Sequence, residues 1–138
     1  METAQRIKLS RIVWAAPTSL VGLAIGSFAL FTGGRLRRNA NALELYGGAL
    51  RWITRLTPVR ADAMAIGHVI VAVDEAAMEV CRDHELVHVR QAETWGPLFI
   101  PAYFGASAWA WLRGGHYYLD NWFEQDARRR SSRLNAPS

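Results

Sequence analysis

The chain has 138 residues, a formal net charge of +4, and 51% hydrophobic against 20% charged residues. That balance excludes intrinsic disorder, which needs few apolar residues and high charge, and a polytopic membrane protein, whose length would be mostly apolar spans. Its one cysteine, Cys81, excludes an intrachain disulfide, so folding rests on core burial, membrane insertion or a metal.

The charges are segregated. None lies between Arg11 and Arg35, a window of 23 residues, while the remainder carries all 16 basic and 12 acidic side chains, near the density of an ordinary soluble domain at roughly 25%. This predicts a basic flank and membrane anchor over 1–34, joined to one small domain over 35–138. The stretch Ile12–Gly34 is long enough as a helix to cross a hydrocarbon core of about 30 Å. It exceeds a usual signal-peptide core, and no small-x-small cleavage site follows before Arg35. Pro17, Gly22 and Gly26 are places where it could kink or become re-entrant. The clusters Arg6/Lys8/Arg11 and Arg35/Arg37/Arg38 nearly balance, so they set no orientation. Together with Arg128/Arg129/Arg130/Arg133 they suit anionic lipid headgroups, at about 1 kcal/mol per residue. No nucleic-acid-binding module accompanies them, so a lipid bilayer is the expected partner and nucleic acid is not.

Beyond the anchor, Ala42–Ile53 alternates apolar residues around Gly47-Gly48 and predicts a β-hairpin. Thr57-Pro58 breaks the chain. Ala63–Val73 is rich in Val and Ile and predicts a strand with Gly67 as a bulge or close-approach site; its edge could receive an extended peptide. Asp74 and Glu75 open a helical stretch, one helix or two with Asp83 as a second N-cap, which stops at Gly96-Pro97. Thr94–Leu112 is a second uncharged window, of 19 residues. After Gly114-Gly115 and His116-Tyr117-Tyr118 a last helix is expected from Asn121. The fold class is α+β: an N-terminal transmembrane helix, a small antiparallel sheet or hairpin, and a motif-bearing helix packed against a C-terminal helix.

The chemistry lies in His84-Glu85-x-x-His88. Histidines at i and i+4 project from one helix face and can reach one ion, while Glu85 lies beside it, free to take a proton from an activated water. Composition alone predicts roughly 0.006 occurrences of this pattern. A catalytic zinc needs a third protein ligand and an open fourth position. The acidic and imidazole candidates are His68, Glu93, His116, Asp120, Glu124 and Asp126. Glu93 lies about 140° round the helix from His88 and is poorly placed. Glu124 is the best, on a helix able to pack antiparallel to the first, although Asn121 with Glu124 also spells a capping box.

His84-Glu85-Leu86-Val87-His88-Val89-Arg90, with Glu124-x-x-Ala127 downstream, resembles the gluzincin zinc metallopeptidases. The likeness is greatest to the integral-membrane groups of the CAAX-prenyl-protease and β-lactam-sensor type, and to small bacterial membrane-anchored proteins with the same two motifs. It covers residues 80–95 and 121–128. The resemblance implies Glu124 as third ligand of one Zn2+, with Glu85 the catalytic base. It also implies the bacterial inner membrane as location. Arg128 stands where such sequences usually carry an acidic residue that steadies a ligand histidine, a role for which Asp120 or Asp126 is available.

A shared ion at His84, His88 and Glu124 requires that Thr94–Leu112 not span the membrane. Its prolines and borderline length suit a buried or interfacial helical hairpin, with Trp95, Trp109, Trp111 and Trp122 in the core or at headgroup level. His116, Tyr117 and Tyr118 are candidate hydrogen-bond donors to a developing oxyanion, or packing and loop residues. The expected function is a membrane-anchored zinc peptidase acting on a peptide or a membrane-protein substrate. The alternatives are a metal-stapled, non-catalytic membrane protein serving as an interaction or assembly subunit, its site closed by His116 or Asp120, and a metal-free subunit of the same kind.

Overall fold

A mixed four-stranded sheet lies between two helical layers in the computed structural model, which describes residues 9–39, 42–56 and 62–134. In chain order the elements are α1 (Leu9–Phe31), β1 (Arg35–Asn39), β2 (Ala42–Tyr46), α2 (Leu50–Leu56), β3 (Ala63–Ile66), β4 (Val69–Ala72), α3 (Glu75–Trp95), a single 3-10 turn (Gly96–Leu98), α4 (Phe99–Leu112) and α5 (Trp122–Leu134). The sheet order is β1-β2-β4-β3. β1 pairs antiparallel with β2 and β3 antiparallel with β4, while β2 and β4 run parallel with Leu43 opposite Val69. The protein is therefore α+β, with a mixed sheet in place of the antiparallel one expected.

Two local expectations change. The apolar alternation through Gly47-Gly48 is no hairpin: both glycines take positive φ, 82° and 54°, and the chain turns directly into α2. Leu50 and Ile53 are three apart and face the core as one side of a helix, a spacing that short apolar runs share with strands. The Ala63–Val73 segment is two strands, not one, because Gly67 at φ 64° sits in the tight turn between β3 and β4. β4 is consequently interior, and the edge strands of the sheet are β1 and β3. Thr57-Pro58 lies outside the described residues.

The alternation of each strand explains the layers. Leu45, Val69 and Val71 face α1 and α2 and bury with Ala29 and Leu50. Ala42, Ala63, Ile70 and Ala72 face α3, which presents Met78 and Val89. α3 is one helix: Asp74 caps its start by accepting from the Ala77 N–H at 2.8 Å, and Gly96 at φ 58° ends it. α1 is apolar and long enough to cross a membrane and runs unbroken through Pro17. It seats on the sheet through a stripe of small residues, Ala15, Thr18, Gly22, Gly26 and Ala29. A Cβ at Gly22 would lie 2.8 Å from the Ile66 carbonyl oxygen and from the Val69 Cβ.

One ionic cluster ties β1, β2 and α3. Glu44 is fully buried and accepts from Arg82 Nε at 2.5 Å, Arg37 Nε at 3.0 Å and Asn39 at 3.1 Å, while Glu79 accepts from both arginines. Burial would raise the Glu44 carboxyl, but the guanidinium hydrogen bonds of Arg82 and Arg37 outweigh it and hold it below the ordinary value. The same two arginines pull Glu79 down to about 2.

Two outcomes are expected. Gly22→Ala gains helix propensity, yet the backbone contact dominates, so unfolding by denaturant should show a loss of about 1–3 kcal/mol. Carboxylates with lowered folded-state pKa contribute stability that is present above their ordinary value, near 4.5, and lost as pH falls toward about 2. Unfolding free energy should decline across that window, and Glu44→Gln should flatten the decline while lowering stability at neutral pH.

Candidate metal centre

His84 and His88 stand one turn apart on α3, and Glu124 enters from the first turn of α5, which packs along α3. The His84 Nε2 and Glu124 Oε2 atoms are 2.9 Å apart, His88 Nε2 and Glu124 Oε2 3.3 Å, and the two Nε2 atoms 3.2 Å. Glu124 makes no capping box. Asn121 caps α5 alone, its Oδ1 accepting from the Phe123 N–H at 2.8 Å, while its own N–H goes to Tyr118 O. The carboxylate is thereby free to face the imidazoles.

The surrounding hydrogen bonds fix the proton on Nδ1 of His88. Gln91 Nε2 donates to Asp126 Oδ2 at 2.9 Å and to Phe123 O at 3.1 Å, two groups that only accept. The Gln91 carbonyl oxygen must then face His88, accepting the Nδ1–H at 2.7 Å. With Nδ1 protonated, His88 turns Nε2 toward the site, as a lone pair when the ring is neutral and as a donor to Glu124 Oε2, 3.3 Å away, when the ring is protonated. Asp126 thus steadies His88 through Gln91, whereas Asp120 accepts from the His116 N–H, and Arg128 donates to the Leu119 carbonyl. Tyr103 of α4 donates to the other oxygen of Glu124 at 2.6 Å, which places α4 against the site; at 14 residues it is about 21 Å long, short of a bilayer core.

Two imidazole nitrogens and one carboxylate oxygen all within 4.8 Å form a group that could hold a metal ion. No fourth His, Cys, Asp or Glu joins it among the described residues, which leaves a position for an exogenous ligand. The electrostatics are consistent with a cation. Burial would raise the Glu124 carboxyl, but hydrogen bonds from His84 and His88 hold it well below the usual carboxylate range. Burial would lower His88, yet the Glu124 hydrogen bond and the Glu85 charge leave it raised. Glu85 stands beside the group without joining it. Burial pushes its carboxyl up to about 7, against the pull of His88 and His84, and it accepts the Ala65 N–H.

That last contact joins the site to the sheet. A cavity of about 420 Å3 is lined by Glu85, His88 and Glu124, by all of β3, by Phe99, Ile100, Tyr103, Phe104 and Ser107 of α4, by Thr18 and Val21 of α1, and by Tyr117 and Tyr118. Comparison with protein-family models, with curated proteins and with solved structures gives no match. The site therefore has to be read from its own geometry.

Of the predicted residues, His84, Glu85, His88 and Glu124 are brought together, and Tyr117 and Tyr118 line the same cavity. Tyr118 is pushed up, first by burial and then by the Glu124 charge, so its hydroxyl stays protonated. His116 does not line the cavity: its Nδ1 accepts from the Tyr118 and Leu119 N–H groups, each at 3.1 Å, and its ring stacks on Tyr117. The other ligand candidates, His68 and Glu93, hold each other at 2.9 Å away from the group. Gln91 and Tyr103 were missed. Gln91 sits three residues after His88, a spacing that places it on the same face; Tyr103 lies in an apolar window with no periodicity.

Gln91→Ala removes the acceptor that orients His88 and should weaken metal binding by about 10–100-fold in a competition titration while leaving the fold intact.

Proposed function

We propose that the protein is a membrane-anchored zinc-dependent peptidase of gluzincin type, with His84, His88 and Glu124 holding one Zn2+ and Glu85 acting as general base. The convergence of those three ligand atoms beside a separate carboxylate that itself contacts the edge strand β3 carries the reading. Two imidazoles and one carboxylate with an open fourth position are the donor set of hydrolytic zinc sites. When bound, the ion supplies Lewis acidity, polarising a carbonyl and making water acidic near neutral pH.

The chain's own groups account for the rest. The edge of β3 offers backbone hydrogen bonds to an extended peptide, which would lay its scissile bond across the cavity beside Glu85. Glu85 takes the proton of the attacking water and returns it to the departing amine nitrogen, which leaves as a neutral amine. Tyr118, which lines the same cavity and whose hydroxyl is kept protonated by burial and by Glu124, would donate toward the carbonyl oxygen as its charge develops. Gln91, Asp126 and Tyr103 orient the ligands. The aromatic wall of α4 lowers the local dielectric, which strengthens each of these interactions.

Purified protein should hold one zinc per chain. His84→Ala should lose the ion, whereas Glu85→Gln should retain it while hydrolysis of a quenched-fluorescence peptide library falls by at least about 100-fold. Equal hydrolysis by wild type and Glu85→Gln, or no stoichiometric zinc in the wild type, contradicts the assignment.

A further inference from the structure

The placement of α1 against the sheet constrains how this chain can meet a membrane. α1 is not a free stalk. Its first turns pack on the end of α3 and the Gly96 turn, where Trp14 Nε1 donates to Thr94 O at 3.3 Å, and its small-residue stripe continues along the strands, Gly22 at Ile66 and Val69 and Gly26 at the Leu45 side chain. The strand register then extends these levels sideways. Val69 is opposite Leu43, and Leu43 is opposite Arg38, so the exposed guanidinium of Arg38 lies level with the middle of α1. Ala72 is opposite Tyr46, and Tyr46 opposite Arg35, which sets a second exposed arginine level with its last third. β1 stands two strands from β4, about 10 Å at the usual strand separation. A bilayer crossed by α1 along its axis would enclose both arginines in hydrocarbon, with no acidic partner for either among the described ion pairs.

Laid flat, the same helix meets no such conflict. The residues it turns away from the sheet are mostly apolar, with Val13, Leu20, Phe28 and Phe31 exposed and Ser10, Arg11 and Ser27 as the exposed polar exceptions. α2, which covers the same side of the sheet, projects Trp52 and Leu56 outward together with Arg51 and Arg55. Arginines beside exposed aromatic and aliphatic groups are the arrangement that snorkels to headgroups while its neighbours enter the acyl region. α4 carries the feature further. It is apolar all round, buries only Phe99 and Ala110, and ends with exposed Trp109, Trp111 and Leu112 before Arg113, whose guanidinium lies 5.6 Å over the Trp109 ring. A helix apolar on every side and uncovered in water has a lipid phase as its stable environment.

We infer that α1 lies in the plane of the membrane interface and does not cross the bilayer, forming with α2 and α4 one face that docks on a bilayer containing anionic lipid. The inference rests on the membrane part of the proposed function and is independent of the metal. The occupant is lipid: exposed Arg51, Arg55 and Arg113 border the apolar residues, and Val21 of α1 and Phe104 of α4, both exposed, line the site's cavity.

The test uses the full chain with Cys81→Ser as background, reconstituted into sealed vesicles of phosphatidylcholine and phosphatidylglycerol. Ser10→Cys, in the first turn of α1, and Arg35→Cys, in β1 just beyond the turn that follows α1, are labelled separately with a membrane-impermeant maleimide before and after detergent opening. Equal labelling of both sites in the intact vesicles, with every copy that exposes one also exposing the other, is expected. Labelling of one site only until the vesicles are opened shows that α1 crosses, and overturns the inference while leaving membrane anchorage standing. Failure to float with the vesicles, with the chain instead a dimer in solution, overturns both. Replacing phosphatidylglycerol by phosphatidylcholine alone should lower the bound fraction at least several-fold at low salt; an unchanged fraction would contradict the arginines' part in docking.

Discussion

The carboxylate of Glu124 is the point on which the rest of the site depends. It is buried among aromatic rings, with Phe99, Tyr103 and Phe123 packed against one another at centroid distances of 5.4–6.2 Å. A negative charge there is costly unless paired and hydrogen-bonded. His84, His88 and Tyr103 supply those partners, so three helices are joined through one side chain: α3 by the imidazoles, α4 by the phenol and α5 by the carboxylate itself. The neighbours follow from that junction. Asn121 must start α5 where it does, and it does so while donating to Tyr103 O and Ser107 Oγ of α4. The loop before it is folded by Asp120 and His116 onto its own backbone.

The same junction relates the metal group to the sheet. Glu85, His84 and His88 lie on α3, whose sheet-facing residues Met78 and Val89 pack with Ile70 and Ala72, so the distance from the edge strand β3 to the site is set by the hydrophobic core and not by a loop. A site on packed elements holds its geometry better than one on mobile segments. The Arg37/Glu44/Arg82/Glu79 cluster secures the other end of α3 to β1 and β2, which keeps that helix from sliding along the sheet.

Much of this was legible in the residues. The i, i+4 histidines, the adjacent glutamate and Gly96-Pro97 define α3 and its end through local rules alone. Glu124 was legible only as one of two readings, because a glutamate three residues after Asn121 serves equally well as a helix cap. The choice is made by tertiary packing, which no spacing within the segment encodes. The Gly47-Gly48 turn was misread for a related reason: the short run Ala49–Ile53 fits a strand or the start of a helix, and the partner surface decides. Gly67 changed role because a glycine in a Val/Ile run marks a bulge or a tight turn alike. The relay from Asp126 through Gln91 lay beyond reach, since it depends on the amide orientation that Phe123 O imposes. The long uncharged window at 12–34 announced an apolar helix, but its small-residue stripe, and the sheet seated there, appear only once the strands are in register.

The central claim is that His84, His88 and Glu124 share one ion, and zinc-edge X-ray absorption on the zinc-loaded full chain tests it most directly. The account predicts a shell of nitrogen and oxygen neighbours at about 2.0–2.1 Å, with imidazole multiple scattering from two histidines and no sulfur. That shell should lose one oxygen neighbour or its zinc altogether in Glu124→Ala. A thiolate neighbour at about 2.3 Å, or a spectrum unchanged by Glu124→Ala, would contradict it.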